Sequence, residues 1–483
     1  MKRREFLKAA GAGALILTLR DLPAGTPKAK RPNIILCMAD DQGWGDMGYN
    51  GHSVLKTPNL DEMAAESLRF DRFYAAAPVC SPTRGSVLTG RHPNRFGCFT
   101  WGGTLRPQEI TIAELLKQVG YATGHFGKWH LGSVLKNSPL NPGSSGFDEW
   151  VSAPNYFDND PILSKKGTAV QYTGESSMVT VDAALEFIRK NAKSPQPFLA
   201  VIWFGSPHNP HIASEQEKAL YKNQRDKLQN FYGEITGIDC AIGKLRRELR
   251  TLDIHQNTML WYCSDNGGLK VSRTGGRGHK AQIYEGGLRV PALLEWPEHI
   301  SSSRNTYVPC NTSDIYPTLM ELTDAKPKKK LPLDGISLVP LIDNKMNVRP
   351  KPIGFWNYPA QGLVMSSKDE MSELLIAQKA SKDVDDLSAI SNAVTISKKY
   401  SDDSFPGHAA WLDWPFKFHR IETEQGIKME LYDLANDSME SNNLSQLQPD
   451  KTKKMKSELE KWMKSVVRSL NGEDYKAYKP EKQ

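Results

Sequence analysis

The sequence places Cys80 two residues before Pro82 and four residues before Arg84. Proline is favoured in the first turn of a helix, so the spacing predicts a helix that begins near Cys80 and runs to about Thr89. Cys80 would then lie at a helix N-terminus, where free N–H groups and the helix dipole favour negative charge. Arg84 would face the same side of the helix. Taken alone, this arrangement is typical of a reactive thiolate, although a cysteine hydrolase also needs a histidine base nearby.

Oxygen-bearing side chains follow two apolar runs of the sequence. Asp40 and Asp41 follow the first run, residues 33–38, with Ala39 between them. Asp265 and Asn266 follow the second run, residues 258–263, with Ser264 between them. Carboxylate and amide oxygens are hard ligands that suit calcium or magnesium. Two such pairs, each at the end of a different strand, predict a site for a divalent cation. The alternative is that these acids cap helices or lie in solvated loops, and it weighs most against Asp40 and Asp41 taken alone.

Lysine and histidine side chains occupy similar positions. Lys128 and His130 follow a short predicted strand and would lie on one side of an extended segment. His208 follows a buried strand, and Lys280 stands farther along the chain. Side chains of these types can neutralise an anion and move protons. For each histidine the alternative is an ordinary surface or core residue.

The elements that must position these residues alternate between strands and helices. The runs 33–38, 198–204 and 258–263 are continuously apolar, as expected for strands buried on both faces, and 121–126 is a shorter strand. Three helices are predicted. The first covers 57–68, and the second begins at the capping box formed by Thr111 and Glu114. The third carries the evenly spaced apolar residues Ile235, Ile238, Ile242, Leu245 and Leu249. This alternation predicts an α/β fold with a mostly parallel sheet, in which ligands lie beyond the carboxyl ends of the strands.

The character of the sequence changes after about residue 345, which predicts a smaller second domain. Residues 365–405 are rich in Ser, Asp, Lys and Ala and are expected to form an insertion or a mobile loop. Residues 410–421 and 427–434 are predicted strands of a small antiparallel sheet, and the apolar residues of 455–470 share one face of a terminal helix. The predicted organisation is an N-terminal segment 1–30, a catalytic domain 31–345 and a smaller C-terminal domain 346–483.

Composition and charge exclude several classes of protein. Of the 483 residues, 39% are hydrophobic and 24% are charged, a balance typical of a globular protein. Six cysteines without a CxxC pair argue against a disulfide scaffold, a zinc ribbon or a thioredoxin-like site. The net charge of +7 arises from 62 basic and 55 acidic residues, and residues 1–30 hold seven of these basic residues and two of these acidic ones. The basic excess therefore belongs mainly to that segment and gives no support to a nucleic-acid partner.

Residues 1–30 resemble a bacterial twin-arginine export signal. The arginines at positions 3 and 4 precede a Phe-Leu-Lys run and the small apolar stretch 9–19. This stretch is shorter than the ~20 residues that a membrane-spanning helix needs, and no integral membrane span is expected elsewhere. The resemblance implies export by the twin-arginine machinery to the periplasm or the extracellular space. The alternative is a disordered or membrane-surface amphipathic end.

Several different short motifs contain these candidate residues. Cys80-Ser81-Pro82-Thr83-Arg84 continues into Leu88-Thr89-Gly90-Arg91. The companion motifs are Asp40-Asp41, Gly127-Lys128-Trp129-His130-Leu131-Gly132, Pro207-His208, Asp265-Asn266-Gly267, Lys280 with Glu285-Gly286-Gly287-Leu288-Arg289-Val290-Pro291, and Leu431-Tyr432-Asp433-Leu434. Together they resemble, in family order, the Cys-x-Pro-x-Arg signature and further motifs of the formylglycine-dependent sulfatases, the arylsulfatase-like type I members of the alkaline phosphatase superfamily. The resemblance extends over about residues 31 to 445.

The resemblance implies a fold and a metal site. The fold would be the α/β/α sandwich of alkaline phosphatase with a smaller C-terminal α+β domain, in agreement with the pattern of strands and helices. A formylglycine-generating maturation enzyme would oxidise Cys80 to Cα-formylglycine. One divalent cation, calcium in the first place and magnesium as the alternative, would be held by Asp40, Asp41, Cys80 as formylglycine, Asp265 and Asn266.

The resemblance also implies a reaction, the hydrolysis of sulfate monoesters. One hydroxyl of the formylglycine hydrate made from Cys80 would attack sulfur, while the cation, Arg84, Lys128 and Lys280 neutralise the sulfate oxygens. His208 or Lys280 would protonate the leaving alcohol. His130 would take the proton of the second hydroxyl, so that sulfate leaves and the aldehyde returns. The expected substrate is a sulfated glycan or a sulfated small molecule. Because the protein is expected to be exported, a sulfated carbohydrate is the favoured substrate.

Two other functions stay open from the sequence. A phosphonate or phosphate ester hydrolase of the same superfamily is the first, since some of these enzymes share the maturation signature. The second is a non-catalytic sulfoglycan-binding protein in which Cys80 stays a thiol.

Overall fold

The structure is a computed structural model that describes residues 31–363, 366–382, 384, 396 and 399–475. The described residues from Pro32 onward form one compact unit. The predicted export signal falls within 1–30, outside the described residues. Within the described residues, no helix combines the length and apolarity that crossing a membrane requires. The division of the chain at residues 30 and 345 stays a prediction.

The described residues form fifteen β-strands. Their bounds are β1 Asn33–Ala39, β2 Leu68–Tyr74, β3 Ala122–Lys128, β4 Glu149–Ala153, β5 Ile162–Lys165, β6 Thr168–Gln171, β7 Phe198–Trp203, β8 Thr258–Ser264, β9 Arg289–Glu295, β10 Arg304–Thr306, β11 Cys310–Asn311, β12 Ile353–Asn357, β13 His408–Asp413, β14 Phe416–Thr423 and β15 Gly426–Asp433.

Eleven α-helices lie in the same described ranges. Their bounds are α1 Pro58–Glu66, α2 Cys80–Thr89, α3 Ile112–Gln118, α4 Ser176–Ala192, α5 Glu215–Lys218, α6 Asp226–Thr251, α7 Glu285–Leu288, α8 Ile315–Thr323, α9 Val339–Ile342, α10 Ser367–Lys379 and α11 Pro449–Leu470. Short 3₁₀ helices are Gly48–Asn50, Pro93–Phe96, Gly143–Ser145, Ala219–Tyr221, Thr312–Asp314 and Glu473–Tyr475.

A sheet of eleven strands runs through the larger part of the chain. Its order is β10-β2-β9-β8-β1-β7-β3-β4-β5-β6, and β11 also pairs with β2. The neighbouring strands β8, β1, β7, β3 and β4 are parallel, so their carboxyl ends meet at one edge. Antiparallel pairs lie toward the two flanks. The predicted α/β fold with a mostly parallel central sheet is confirmed.

Alternate side chains of β1 pack into two apolar cores on opposite faces of this sheet. Leu36 and Met38 belong to a core with residues of α2, α3 and α8. Ile35 and Cys37 belong to a second core with residues of α1, α4 and α6. Because both faces are covered by helices, every residue of the strand after Asn33 is apolar, which explains the continuous run in the sequence. The layers are helix, sheet and helix, as the α/β/α prediction requires.

The C-terminal part forms a second, antiparallel sheet in the order β12-β13-β14-β15. Helix α11 packs against it through a core that includes Phe418, Leu431, Leu459 and Met463. The predicted small sheet and terminal helix are therefore present. The prediction of a single strand over 410–421 is wrong. The chain reverses there, and β13 and β14 pair with each other along their lengths, because Pro415 between them lacks the N–H that a continuing ladder needs.

Two further sequence expectations are corrected by packing. The segment expected as a loop contains α10, whose Ser366 side chain caps the helix by accepting the N–H of Asp369. Met371 and Leu374 of this helix are buried in the larger core. The polar residues of the segment therefore belong to the exposed side of the helix and to its N-terminal cap. Helix α1 ends at Glu66 rather than reaching Leu68, since Leu68 is buried at the start of β2.

Candidate active site

The parallel strands bring the predicted residues to one edge of the large sheet. In the register of the sheet, Met38 lies beside both Trp203 and Cys263, and Gly127 also lies beside Trp203. The four chain segments that follow β8, β1, β7 and β3 therefore leave the sheet at nearly the same level. Asp40 continues this register, since its N–H donates to the carbonyl of Ser206 at 2.9 Å.

Cys80 begins helix α2, as the sequence predicts. Thr83 fixes the start of the helix, because its hydroxyl donates to the carbonyl of Ala77 at 2.9 Å and accepts the N–H of the same residue at 3.3 Å. The Cys80 side chain is buried. Burial raises the pKa of the thiol to about 12, although Lys128 and Lys280 act in the opposite direction. An unmodified Cys80 is therefore a protonated thiol at neutral pH and not a reactive thiolate.

Two fully buried ion pairs flank Cys80. The Nζ atom of Lys128 donates to Oδ2 of Asp40 at 2.6 Å. Arg84 donates from Nη2 and Nε to Oδ2 of Asp265 at 2.6 and 3.0 Å, and from Nη1 to the carbonyl of Lys128 at 3.1 Å. A buried charge without a partner costs several kcal/mol, so these contacts make it feasible to bury both cations and both acids.

Asp41 joins the two strand ends through an unusual backbone conformation. Its φ of 71° lies in the left-handed region, which an aspartate adopts at a cost. In this conformation its N–H donates to Oδ1 of Asp265 at 3.1 Å, and its Oδ1 accepts from Nδ2 of Asn266 at 2.8 Å. Burial alone would raise the pKa of Asp41, but Lys280, His208 and Lys128 outweigh it and hold that pKa below its ordinary value.

Next to Asp41, the Lys280 ammonium lies close to the His208 imidazole. The Nζ atom of Lys280 lies 2.7 Å from the Asp41 carboxylate and 3.3 Å from Nε2 of His208. Burial alone would lower the pKa of Lys280, but Asp41 is the main cause that raises it above its ordinary value. Burial lowers the pKa of His208 to about 3, with Lys280 and Lys128 adding to the effect and Asp41 opposing it. At neutral pH Lys280 therefore holds a proton beside an unprotonated imidazole.

His130 offers two ring nitrogens to the same region. The ring is buried, and neither nitrogen has a hydrogen-bond partner among the described residues. Burial, and then the nearby charges of Lys128 and Arg84, hold the pKa of His130 well below its ordinary value. The side chain is therefore neutral and able to accept a proton.

The oxygen atoms at this edge match the ligand set of a hard cation. Ligand atoms of Asp40, Asp41, Cys80 and His208 lie within 4.8 Å of one another. Oδ1 of Asp40 and Oδ1 of Asn266 are buried and accept no hydrogen bond from the described residues. Buried oxygens that accept no hydrogen bond, close to further carboxylate oxygens, fit a divalent cation such as calcium or magnesium.

Protein donors hold both carboxylate oxygens of Asp265. Its Oδ1 accepts from the N–H of Asp41, and its Oδ2 accepts from Arg84. Burial and the charge of Asp40 raise the pKa of Asp265 to about 6, against Arg84 and Lys128. All predicted site residues therefore come together, and the oxygens of Asp265, like those of Asp41, are already engaged by protein donors.

Comparison with known proteins agrees with this arrangement. A protein-family model described as Sulfatase matches residues 32–325. The chain belongs to the sulfatase family. Over 376 residues this sulfatase is 34% identical to the N-acetylgalactosamine-6-sulfatase of Mus musculus, covering 68% of this chain and 69% of that protein. Over 369 residues it is 31% identical to the Ulvan-active sulfatase of Formosa agariphila, covering 69% of this chain and 71% of that protein.

A solved structure supports the fold. The crystal structure of Ps i-CgsB is similar to this sulfatase with a TM-score of 0.74 at 24% identity, and the match covers 92% of this chain and 98% of that one. The predicted family, its sulfuric ester hydrolase activity and its fold are confirmed.

The sequence did not predict the contacts of Lys417 that hold the end of the loop carrying Lys280; these contacts are called the anchor of the Lys280 loop. The loop leads into α7, where the carboxylate of Glu285 accepts from Nζ of Lys417 at 3.0 Å and from the hydroxyl of Tyr74 at 3.0 Å. The backbone N–H of Glu285 donates to Glu440 at 2.7 Å, and Lys417 also lies 3.1 Å from Glu440. The C-terminal sheet thus fixes the end of this loop through a buried lysine. The sequence around Lys417 carries no signal for this contact.

A second missed feature is an aromatic ring beside His208. The rings of Tyr156 and His208 stack with centroids 4.1 Å apart and planes at 17°. The sequence indicates only that 155–158 lies in a loop that either binds a sugar or packs in the core. Stacking holds the imidazole in one orientation next to Lys280.

Lys417→Met tests the anchor of the Lys280 loop. The substitution leaves Glu285 and Glu440 as buried charges without their cation, so we expect a loss of about 3–5 kcal/mol in the free energy of unfolding, measured in urea. We also expect kcat for an aryl sulfate to fall about tenfold or more, with a smaller change in KM, because Lys280 is displaced. Lys456→Met on α11, the helix that packs on the same sheet, is the matched control, since its exposed ammonium pairs with Glu460, itself partly exposed, at 3.9 Å. Wild-type stability and kcat in Lys417→Met contradict the anchor.

Proposed function

We propose that this sulfatase hydrolyses sulfate monoesters of carbohydrates, with Cys80 present as Cα-formylglycine and one divalent cation, calcium by preference, at the adjacent oxygen cluster. The observation that carries the proposal is the convergence on Cys80 of three cations, two of them fully buried, and of two buried ligand oxygens that accept no hydrogen bond from the described residues. The cations are Arg84, Lys128 and Lys280, and the oxygens are Oδ1 of Asp40 and Oδ1 of Asn266. Such a site accepts an anionic group and a cation together.

The cations of the site stabilise the sulfate group as charge develops on it. They are already oriented by carboxylates, so little reorganisation is needed during the reaction. When present, formylglycine supplies a nucleophilic hydroxyl and the divalent cation supplies positive charge to the sulfate oxygens. Asp40, Asp41, Asp265 and Asn266 are the side chains that hold this cation.

Three side chains move the protons. Lys280 is charged and lies 3.3 Å from Nε2 of neutral His208, so the pair protonates the alcohol oxygen that leaves. His130 is neutral with both ring nitrogens unpartnered among the described residues, so it accepts the proton that is released when sulfate departs. Each role follows from which group holds a proton at neutral pH.

A carbohydrate substrate is supported by the cavity that begins at Tyr156. The cavity has a volume of about 440 Å³, and its lining includes Asp158, Gln171 and Lys368. An aromatic ring next to polar side chains suits a sugar, and the volume lies in the range of small-molecule sites. The names of both relatives also refer to a carbohydrate.

Maturation and export complete the proposal. A formylglycine-generating enzyme modifies Cys80, and the twin-arginine machinery carries the protein to the periplasm or beyond. The support for export is the segment 1–30, with its twin arginine and short apolar stretch.

Cys80→Ala tests the nucleophile. We expect release of sulfate from an aryl sulfate and from a sulfated monosaccharide to be abolished, while the circular dichroism spectrum and the urea midpoint stay close to wild type. Cys240→Ala, at a partly exposed cysteine of α6, is the matched control and should keep full activity. Mass spectrometry of the Cys80 peptide from the native host should show the lighter formylglycine form. A wholly unconverted thiol in an active enzyme, or faster turnover of an aryl phosphonate than of an aryl sulfate, contradicts the proposal.

Chelation tests the cation site. Dialysis against excess EDTA should abolish turnover of the aryl sulfate, and calcium should restore more of it than magnesium. Because the free acids repel each other, removal of the cation should also lower the thermal midpoint. Asn266→Ala should reduce the calcium concentration dependence of that midpoint. Full activity in excess chelator contradicts the assignment.

Tyr156→Ala tests whether the Tyr156 ring, which lines the cavity of about 440 Å³, binds the sugar. An aromatic pair contributes about 0.5–1.5 kcal/mol, so KM for a sulfated monosaccharide should rise up to about tenfold. Tyr156→Phe keeps the ring and should keep a KM near wild type. An unchanged KM in Tyr156→Ala means that the sugar binds elsewhere.

A further inference from the structure

The geometry points to a second anion-binding site, which holds a sulfated segment of a glycan chain away from the reacting ester. This inference rests on the proposed carbohydrate substrate. The site is a cavity of about 360 Å³, here called the β2 cavity, lined by Arg72, Arg304, Tyr307, Lys351 and Trp414 together with neighbouring residues. Its described lining shares no residue with the candidate active site.

The β2 cavity concentrates positive charge. Four basic residues line it, and one of them, Arg349, is neutralised by Asp314 at 2.7 Å. Arg72, Arg304 and Lys351 form no ion pair with any described residue, whereas Asp413 is the acidic side chain of the described lining. Beyond residue 30 the chain carries 55 basic and 53 acidic residues. The excess in this cavity is therefore local and not a property of the whole surface.

Arg72 is held in a fixed orientation on the cavity wall. Its guanidinium carbon lies 3.8 Å from the centroid of the Trp414 ring and 5.3 Å from that of Tyr307. Its Nη1 donates to the carbonyl of Tyr307 at 2.8 Å, and its other nitrogens have no hydrogen-bond partner among the described residues. A planar fork that is oriented in this way can bind two oxygens of one sulfate group.

The rest of the lining favours a glycan over a free inorganic anion. Tyr307 is 58% exposed, and the exposed part of its ring offers an apolar surface on which a sugar can pack. The amides of Asn344 and Asn347 also line the cavity and can bind hydroxyl groups. The volume is in the range of sites for small organic molecules, which is larger than one sulfate ion needs.

Such a site would increase the affinity for long substrates without changing the chemistry. A chain held at the β2 cavity raises the effective concentration of its other sulfate esters at the active site. We therefore expect selectivity for sulfated chains over short sulfate esters to depend on the cavity, and turnover of a small aryl sulfate to be independent of it.

Calorimetric titration with dextran sulfate tests this site, with neutral dextran as the uncharged probe. Wild type should bind dextran sulfate and not neutral dextran. Arg72→Gln/Lys351→Gln should raise the Kd about tenfold or more, with aryl sulfate turnover within about twofold of wild type. Arg72→Lys keeps the charge without the fork and should give an intermediate Kd. The charge-matched control is Lys193→Gln/Lys222→Gln, at two exposed lysines elsewhere, and it should bind as wild type does.

The outcomes separate this inference from the proposed function. Unchanged affinity in the cavity variant, or an equal loss in the control, overturns the second site while sulfatase activity on sugars can still stand. Loss of affinity in the cavity variant, together with a wild type that releases sulfate from no sulfated sugar, supports the second site and rejects the proposed substrate. If the double variant fails to fold, the affinity of Lys351→Gln alone is the test, because among the described residues its ammonium donates one hydrogen bond, to the carbonyl of Leu333 at 2.8 Å.

Discussion

Buried ion pairing at the edge of the large sheet is the constraint on which the rest of the structure depends. Three carboxylates and two cations are removed from water there, and a third cation, Lys280, is largely shielded from it. The pairs are Lys128 with Asp40, Arg84 with Asp265, and Lys280 with Asp41. Breaking such a pair by removing one partner costs about 3–5 kcal/mol, because the remaining charge stays buried. Since the two members of each pair belong to different segments of the chain, the pairs form only when the sheet and its loops are assembled. The site and the fold are in this sense one unit.

The parallel order of the central strands makes this pairing possible. Strands β8, β1, β7 and β3 are neighbours that point the same way, so acids from two of them and bases from the segments beside them meet at one level. The left-handed backbone of Asp41 and of His130 lies at the same edge. Conformations of this kind cost about 1–3 kcal/mol each and persist because the surrounding contacts determine them. Buried oxygens of Asp40 and Asn266 and both imidazole nitrogens of His130, none of which has a hydrogen-bond partner among the described residues, lie at this edge as well.

The C-terminal sheet takes part in this architecture. Lys417 of β14 is buried against Glu285 and so fixes the loop that carries Lys280. Helix α10 contributes Lys368 to the cavity beside Tyr156. The β2 cavity likewise lies between β2 of the large sheet and β13 of the small one. Contacts between the two sheets therefore bear on the position of the Lys280 loop and on the cavity proposed as a second anion site.

Much of the site could be predicted from the sequence, because its residues stand in short motifs next to strand ends. The positions of Cys80 and Arg84, the acids after β1 and β8, and the α/β class all follow from local spacing and apolar runs. Those signals lie within a few residues of each other, so a sequence carries them without knowledge of the fold.

Other features were decided by tertiary structure alone. The contact of Lys417 with Glu285 joins residues 132 positions apart, and the stacking of Tyr156 on His208 also joins separate loops. The reversal at Pro415 and the burial of α10 depend on which surface each segment packs against. Contacts between distant segments impose no period or motif on either partner. The sequence by itself thus determined which residues could do the chemistry, whereas the packing of the two sheets determined how they are held and which further cavities surround them.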